Sequence, residues 1–296
     1  MFHFLNPLTP SDFNQKTEFL IEGFIPKHLI TMIYADGGMG KSWLAMALAK
    51  YAAQQGMTVA YLDYDNPMNV LKERGIEQKL IQACSNLHYS HRSKTNCNPL
   101  AMLEELENMA VADRYKNTLF VLDSLRDFGD VNNDNAAMRI GDKLKNIREA
   151  GATIIVLHHS NKDGRNYQGS NNIRNSIDNM YQLTKIDSPE GEIRWVLTVK
   201  KERASIVDTA ISVKVNDLSL LPIDITTARI SSEEQSFINE VKNALNKQPG
   251  LNKTELLESC GYKKDDKTAR DRLDQYETIY WVSKKEKGVI SYQLIN

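Results

Sequence analysis

Between an apolar run at 30–34 (ITMIY) and an alanine-rich one at 42–55 (SWLAMALAKYAAQQ) stand Gly37, Gly38, Met39, Gly40, Lys41 and Ser42. Glycines at this spacing let successive backbone N–H groups converge on one anion, and a helix beginning at Ser42 turns its positive end toward it. The lysine and hydroxyl that follow suit a nucleoside triphosphate: the ammonium reaches the β- and γ-phosphates, and the hydroxyl oxygen meets Mg²⁺. The stretch Ala35 to Ser42 follows the pattern G-x-x-x-x-G-K-[ST], with Ala35 in place of the first glycine, small for small. The flanking strand and helix separate it from a glycine-rich turn with a chance Lys-Ser. The expected cofactors are ATP and Mg²⁺, held by Gly37, Gly38, Met39, Gly40, Lys41, Ser42 and Trp43.

A triphosphate site needs carboxylates. Asp123 ends the apolar run TLFVLD, where an aspartate orders the Mg²⁺ shell, so Ser42 and Asp123 form the expected metal side. Asp63 and Asp65 close a second run, YLDYDNP. Either would position the attacking water from the carboxyl edge of the sheet. Period-two alternation puts both on one face, so periodicity does not choose between them. The alternative is that either only caps the turn before Asn66-Pro67.

The elements that position these groups alternate. Strands are expected at 30–34, 58–63, 118–122 and 153–157, and helices at 42–55 and 136–149, with polar, helix-leaning sequence to about 115 broken by the turn-rich 90–99. Such alternation predicts a mostly parallel sheet covered by helices on both faces. After 178 the pattern turns β-rich (DNMYQL, IRWVLTV, IVDTAISVKV), which predicts antiparallel additions at the sheet edge. A break near 226–233 divides the chain into an expected ATPase domain, 1–230, and a small domain, 231–296. In the latter, helices at 234–247, 253–260 and 266–277 and strands at 279–284 and 289–294 outline a winged helix.

Composition bounds the rest. With 41% hydrophobic and 25% charged residues the 296-residue chain is ordinary for a globular protein. No apolar run reaches the roughly 18 residues that would span a bilayer. The opening MFHFLNPLTPSDF lacks the basic and apolar regions of a secretory signal, and three scattered cysteines make no disulfide framework, so a cytoplasmic protein is expected. A net charge of −1 means that any nucleic-acid binding depends on local basic patches.

The order of GGMGKS, YLDYDNP, VLDSLRDF, VLHHSNKDGRNYQGSNNIRNSID and VKKER resembles the RecA-like ATPases of the RepA branch of hexameric helicases. It is similar, more distantly, to the core of DnaB-type replicative helicases. The likeness runs over residues 15–215. It implies a RecA-like fold and an ATP-dependent helicase or translocase acting on single-stranded DNA in replication as a homo-oligomer, a hexamer. It implies that Asp65 stands where the family has its catalytic glutamate, one methylene shorter here, and that His159 is the polar sensor of the γ-phosphate. Lys201 and Arg203 match a Lys-x-Arg pair that reaches into a neighbouring subunit's site, Arg203 as an arginine finger. Without the resemblance, Lys200 to Arg203 read as a solvated turn, and His159 as a hydrogen-bonded strand histidine. His158 and His159, on opposite faces of a strand, do not make a metal pair.

The loop 160–176 carries Lys162, Arg165 and Arg174 for phosphates and Tyr167 as a stacking face for single-stranded DNA. In the resembled family this loop lines the central channel. The loop after Asp123 adds Arg126 and Phe128. In the tail, the expected recognition helix 263–272 holds five basic and three acidic residues, and Lys284, Lys285 and Lys287 mark the wing. From residue 232 onward the tail balances 11 basic against 11 acidic residues, leaving duplex DNA and a replication protein both open as its partner. A regulator or loader that binds through this tail without unwinding is the alternative function.

Overall fold

The computed structural model describes residues 7–14, 16–286 and 288–295. The first six residues of the opening segment and Lys287 of the expected wing lie outside them. The chain divides into two compact units, Met1–Ala228 and Arg229–Asn296.

In chain order the first unit begins with a small antiparallel pair, β1 (Phe19–Ile21) and β2 (Ile25–Pro26), and β3 (Ile30–Ala35). There follow α1 (Lys41–Gln54), β4 (Thr58–Asp63), α2 (Met68–Glu73), β5 (Leu87–His91), α3 (Pro99–Asn108) and β6 (Thr118–Asp123). Next come α4 (Asp134–Glu149), β7 (Thr153–His159), α5 (Asn171–Ser176) and β8 (Asn179–Ile186). The unit closes with β9 (Glu192–Lys201), β10 (Thr209–Lys214), β11 (Leu220–Ile223) and α6 (Ile225–Ala228). Among the described residues, nine strands make one sheet in the order β11-β10-β9-β8-β3-β7-β6-β4-β5.

All six residues of β3 are buried, as a central parallel strand requires. Its side chains alternate between two cores. Ile33 and Ala35 join the layer with α1, while Ile30, Met32 and Tyr34 join the layer with α3 and α4. The parallel pairs put the ends of β3, β4, β6 and β7 along one edge.

Two expectations need correction. The polar stretch read as helix-leaning hides a strand where the turn-rich 90–99 begins: β5 pairs with β4 as the outer parallel strand. Its sequence, LHYSH, is too polar to read as buried β-structure, because an edge strand faces water along one side. The first of the late strands, β8, is parallel to β3, and only β9, β10 and β11 add antiparallel. The helix α5 supplies the crossover that a parallel return needs.

The second unit holds α7 (Ser232–Lys247), α8 (Lys253–Ser259) and α9 (Lys267–Gln275), then an antiparallel hairpin of β12 (Trp281–Glu286) and β13 (Val289–Leu294). Capping boxes at Ser231 and Asn252 start α7 and α8. Trp281 is fully buried in its core and donates its indole N–H to the Leu273 carbonyl at 2.9 Å.

Candidate nucleotide-binding site

The phosphate loop joins β3 to α1. Gly40 caps the helix at φ 88°, with no side-chain cap, so the first-turn amides of α1 are left for a ligand. Any side chain there is strained, and a Cβ on Gly40 would also lie 2.8 Å from Cζ2 of Trp195. Trp195, buried on β9, donates its indole N–H to the Met39 carbonyl at 2.6 Å and pins the loop from behind. Sequence reasoning missed this residue. The one signal was a tryptophan in a buried strand, whose N–H must find an acceptor.

Gly37, Gly38 and Met39 are exposed, and a Cβ on Gly37 or Gly38 would meet nothing within 4 Å. The cradle is therefore open on its outer side. Lys41 Nζ folds across it, donating to the carbonyls of Ala35 at 3.0 Å and Asp36 at 2.9 Å. Burial lowers the Lys41 pKa, while Asp123, Asp65 and Asp36 pull it back up.

Asp63 and Asp123 are register partners at the ends of β4 and β6, and both are buried. Each accepts from a tyrosine below: Tyr61 donates to Asp123 at 2.9 Å and Tyr89 to Asp63 at 2.5 Å. The two rings stack with centroids 4.7 Å apart. Burial and the neighbouring Asp63 charge push the Asp123 carboxyl up to about 7, against hydrogen bonds from Ser42 and Tyr61.

The two candidate bases are not equivalent. Asp63 Oδ1 accepts from the backbone N–H groups of Asp65 at 3.2 Å and Asn66 at 3.0 Å, so Asp63 caps the turn. Asp65 lies past the strand end, exposed, and pairs with Arg126 at 3.0 Å. Alternation failed as a guide because the strand stops at Asp63. Phe128, expected in a binding loop, is fully buried against Tyr64 with centroids 5.3 Å apart and is unavailable to a ligand.

His159 ends β7 beside Ala35, within electrostatic reach of Lys41, Arg126 and Asp65. Burial lowers its pKa, and among the described residues nothing bonds its Nε2. His158 points the other way and donates Nε2–H to the Gln168 carbonyl at 2.6 Å. That bond helps fold 160–168 into a tight hairpin, bridged between Ser160 and Tyr167. Lys162 and Arg165 are exposed on it, whereas Tyr167 is half-buried edge-on to Tyr34 at 6.2 Å. Arg174, exposed on α5, donates to the Lys200 carbonyl at 3.2 Å.

Lys201 and Arg203 are not brought to this edge. Lys201 pairs in register with Met180 near the start of β8, and its ammonium caps the end of α5 at the carbonyls of Arg174 and Ile177. Arg203 pairs with Asp178 at 3.0 Å. Asp178 also takes the backbone N–H of Ile30, where β3 begins. At about 3.3 Å per residue, the length of β3 sets Arg203 roughly 17 Å from its own phosphate loop.

The AAA domain family matches residues 12–165, a span that includes the phosphate loop, Asp63, Asp65, Asp123 and His159. The chain belongs to the AAA domain family. Comparison with curated proteins gives no match. Among solved structures, the ATPase domain of G40P is similar at 13% identity and TM-score 0.53, over 72% of this chain and 94% of that one. The RadB recombinase (18% identity, TM-score 0.48, 68% of this chain and 93% of that one) is also similar. So is the flagellar accessory protein FlaH from Methanocaldococcus jannaschii (18%, 0.46, 74% and 97%). The likeness to the G40P domain is one of fold. This AAA domain has a RecA-like fold, and its residues fit the cofactors of a P-loop ATPase. Open glycines and uncapped amides suit phosphates, and the Ser42 hydroxyl with the Asp123 carboxylate is an all-oxygen set suited to Mg²⁺. Bound there, Mg²⁺ would offset the phosphate charge.

Proposed function

We propose that this ATPase works as a hexameric ring that moves along single-stranded DNA in replication and separates duplex ahead of it. The observation that carries the reading is the position of Arg203. An arginine held at the far edge of its own sheet serves a triphosphate only in another copy, so each site is completed by a neighbour. In this scheme Lys41 and the loop amides grip the phosphates, Asp65 orients the attacking water, and His159 reads the γ-phosphate. The hairpin that starts next to His159 carries Lys162 and Arg165 toward DNA, with Arg174 on the following helix and Tyr167 as a face that must leave Tyr34 to stack.

The tail acts as a winged helix in this reading. Arg272 is tied to Glu233 at 2.9 Å and Arg270 to the Lys264 carbonyl at 2.8 Å, which favours a replication protein over duplex DNA as its partner. A second reading, a regulator or loader switched by assembly, draws support from two ion pairs. In the chain alone Asp65 is held by Arg126 and Arg203 by Asp178.

ATP hydrolysis with and without single-stranded DNA, together with strand separation on a forked duplex, tests the proposal. Stimulation with separation is expected. Stimulation without separation, under conditions where the rings form, would sink the helicase and favour the regulator.

A further inference from the structure

Asn66 sits in the turn after β4, and none of the roles above uses its side chain. Its amide nitrogen lies 3.1 and 3.2 Å from the two Asp63 oxygens, 3.1 Å from Asp123 Oδ2 and 3.4 Å from Ser42 Oγ. Four oxygens from three residues thus converge on one donor group. Two of those residues are the ones that face Mg²⁺ in a phosphate-loop site.

The direction of the amide follows from its partners. Arg74 has only donors to offer, and its Nη1 meets Asn66 Oδ1 at 3.0 Å, so the nitrogen must face the carboxylates. The main chain is held as well, with His91 Nε2 2.8 Å from the Asn66 carbonyl. Arg74 in turn lies over the ring of Trp43, 5.3 Å from its centroid. A line of contacts therefore leaves α1 beside Ser42, passes through Trp43, Arg74 and Asn66, and returns to Ser42 and the two aspartates.

We propose that Asn66 is a positioning residue for the Mg²⁺ shell: its amide holds the Asp63–Asp123 pair aligned with Ser42, and Arg74 fixes the face it presents. An uncharged donor between two buried carboxylates offsets their repulsion without adding a charge that would compete with the cation. Outer-shell partners of this kind set metal affinity by about 10–100-fold. The inference rests on the reading of Ser42 and Asp123 as the metal side of the site.

The test titrates Mn²⁺ into the full-length chain with ADP, followed by electron paramagnetic resonance. Asn66→Ala is expected to weaken Mn²⁺ binding by about tenfold or more, with ADP affinity in EDTA changed by less than about twofold. Arg74→Gln, which keeps the amide but frees its orientation, gives a smaller loss in the same direction. Thermal melting of both variants confirms the fold. Wild type that takes up no Mn²⁺ with ADP overturns the metal reading itself. Wild type that binds, with Asn66→Ala matching it, overturns the role of Asn66 alone. Equal losses of metal and metal-free ADP affinity mean a collapsed site and also overturn it.

Discussion

The Arg203 guanidinium pairs with the buried Asp178 carboxylate at 3.0 Å where β3 begins, while Lys41 stands beyond the point where β3 has ended. One chain therefore holds Lys41 and Arg203 at opposite edges of one sheet. Lys41→Ala and Arg203→Ala are each expected to lose hydrolysis, the second by about 10³-fold or more if it acts as a finger. Mixed in equal amounts, they should regain activity at about a quarter of interfaces, those pairing an intact Lys41 with an intact Arg203. A mixture no more active than its parts would place both residues outside a shared site.

Asp178 supplies a stability prediction. It is buried and takes charged bonds from Arg148 on α4 at 2.8 Å and from Arg203, together with the N–H of Ile30. Asp178→Asn leaves the largely buried Arg148 with only the exposed Glu149 as counter-charge, at an expected cost of about 3 kcal/mol in urea unfolding. Arg203→Ala should cost under about 1 kcal/mol, since that side chain is 54% exposed and water screens its pair. Equal costs would mean that the ion pairs do not join β3, α4 and β8.

Trp195 predicts a change in nucleotide affinity from a residue on the far side of the loop. Trp195→Phe keeps a ring against Gly40 but removes the N–H that holds the Met39 carbonyl. Losing one buried hydrogen bond of about 1–1.5 kcal/mol corresponds to roughly tenfold weaker ATP binding by calorimetry, with the fold retained. Gly40→Ala, which adds both a clash and backbone strain, should bind less than Trp195→Phe does. Wild-type affinity in Trp195→Phe would show that the loop needs no support from β9.

These cases mark what the sequence could and could not say. The loop, Asp123 and the alternation that builds the parallel sheet were legible because each follows from local spacing. Trp195, Asn66 and Asp178 were not, because their partners lie on other strands and become neighbours only through the sheet order. Strand β5 was hidden by its own polarity. The Asp63 and Asp65 pair looked equivalent because periodicity assumes that the strand continues, whereas the chain turns at Asp63 and leaves Asp65 in water.

His158 gives the pH dependence. Burial holds its pKa down to about 4, below the usual 6.5. Above pH 6.5 the ring is neutral in both folded and unfolded chains, and its contribution to stability is complete. As pH falls from 6.5 toward 4, the unfolded chain takes up a proton that the folded chain refuses, and roughly 3 kcal/mol is lost. Urea unfolding at several pH values should show this slope in wild type and a shallower one in His158→Asn. Parallel slopes would assign the acid sensitivity to other groups.

Hydrolysis of ATP by the full-length chain with Mg²⁺, compared with Lys41→Ala under the same conditions, reaches the centre of the account. Phosphate release that needs Mg²⁺ and disappears in Lys41→Ala is the predicted result. Wild type that releases no phosphate, or Lys41→Ala that releases it at the wild-type rate, would contradict the account.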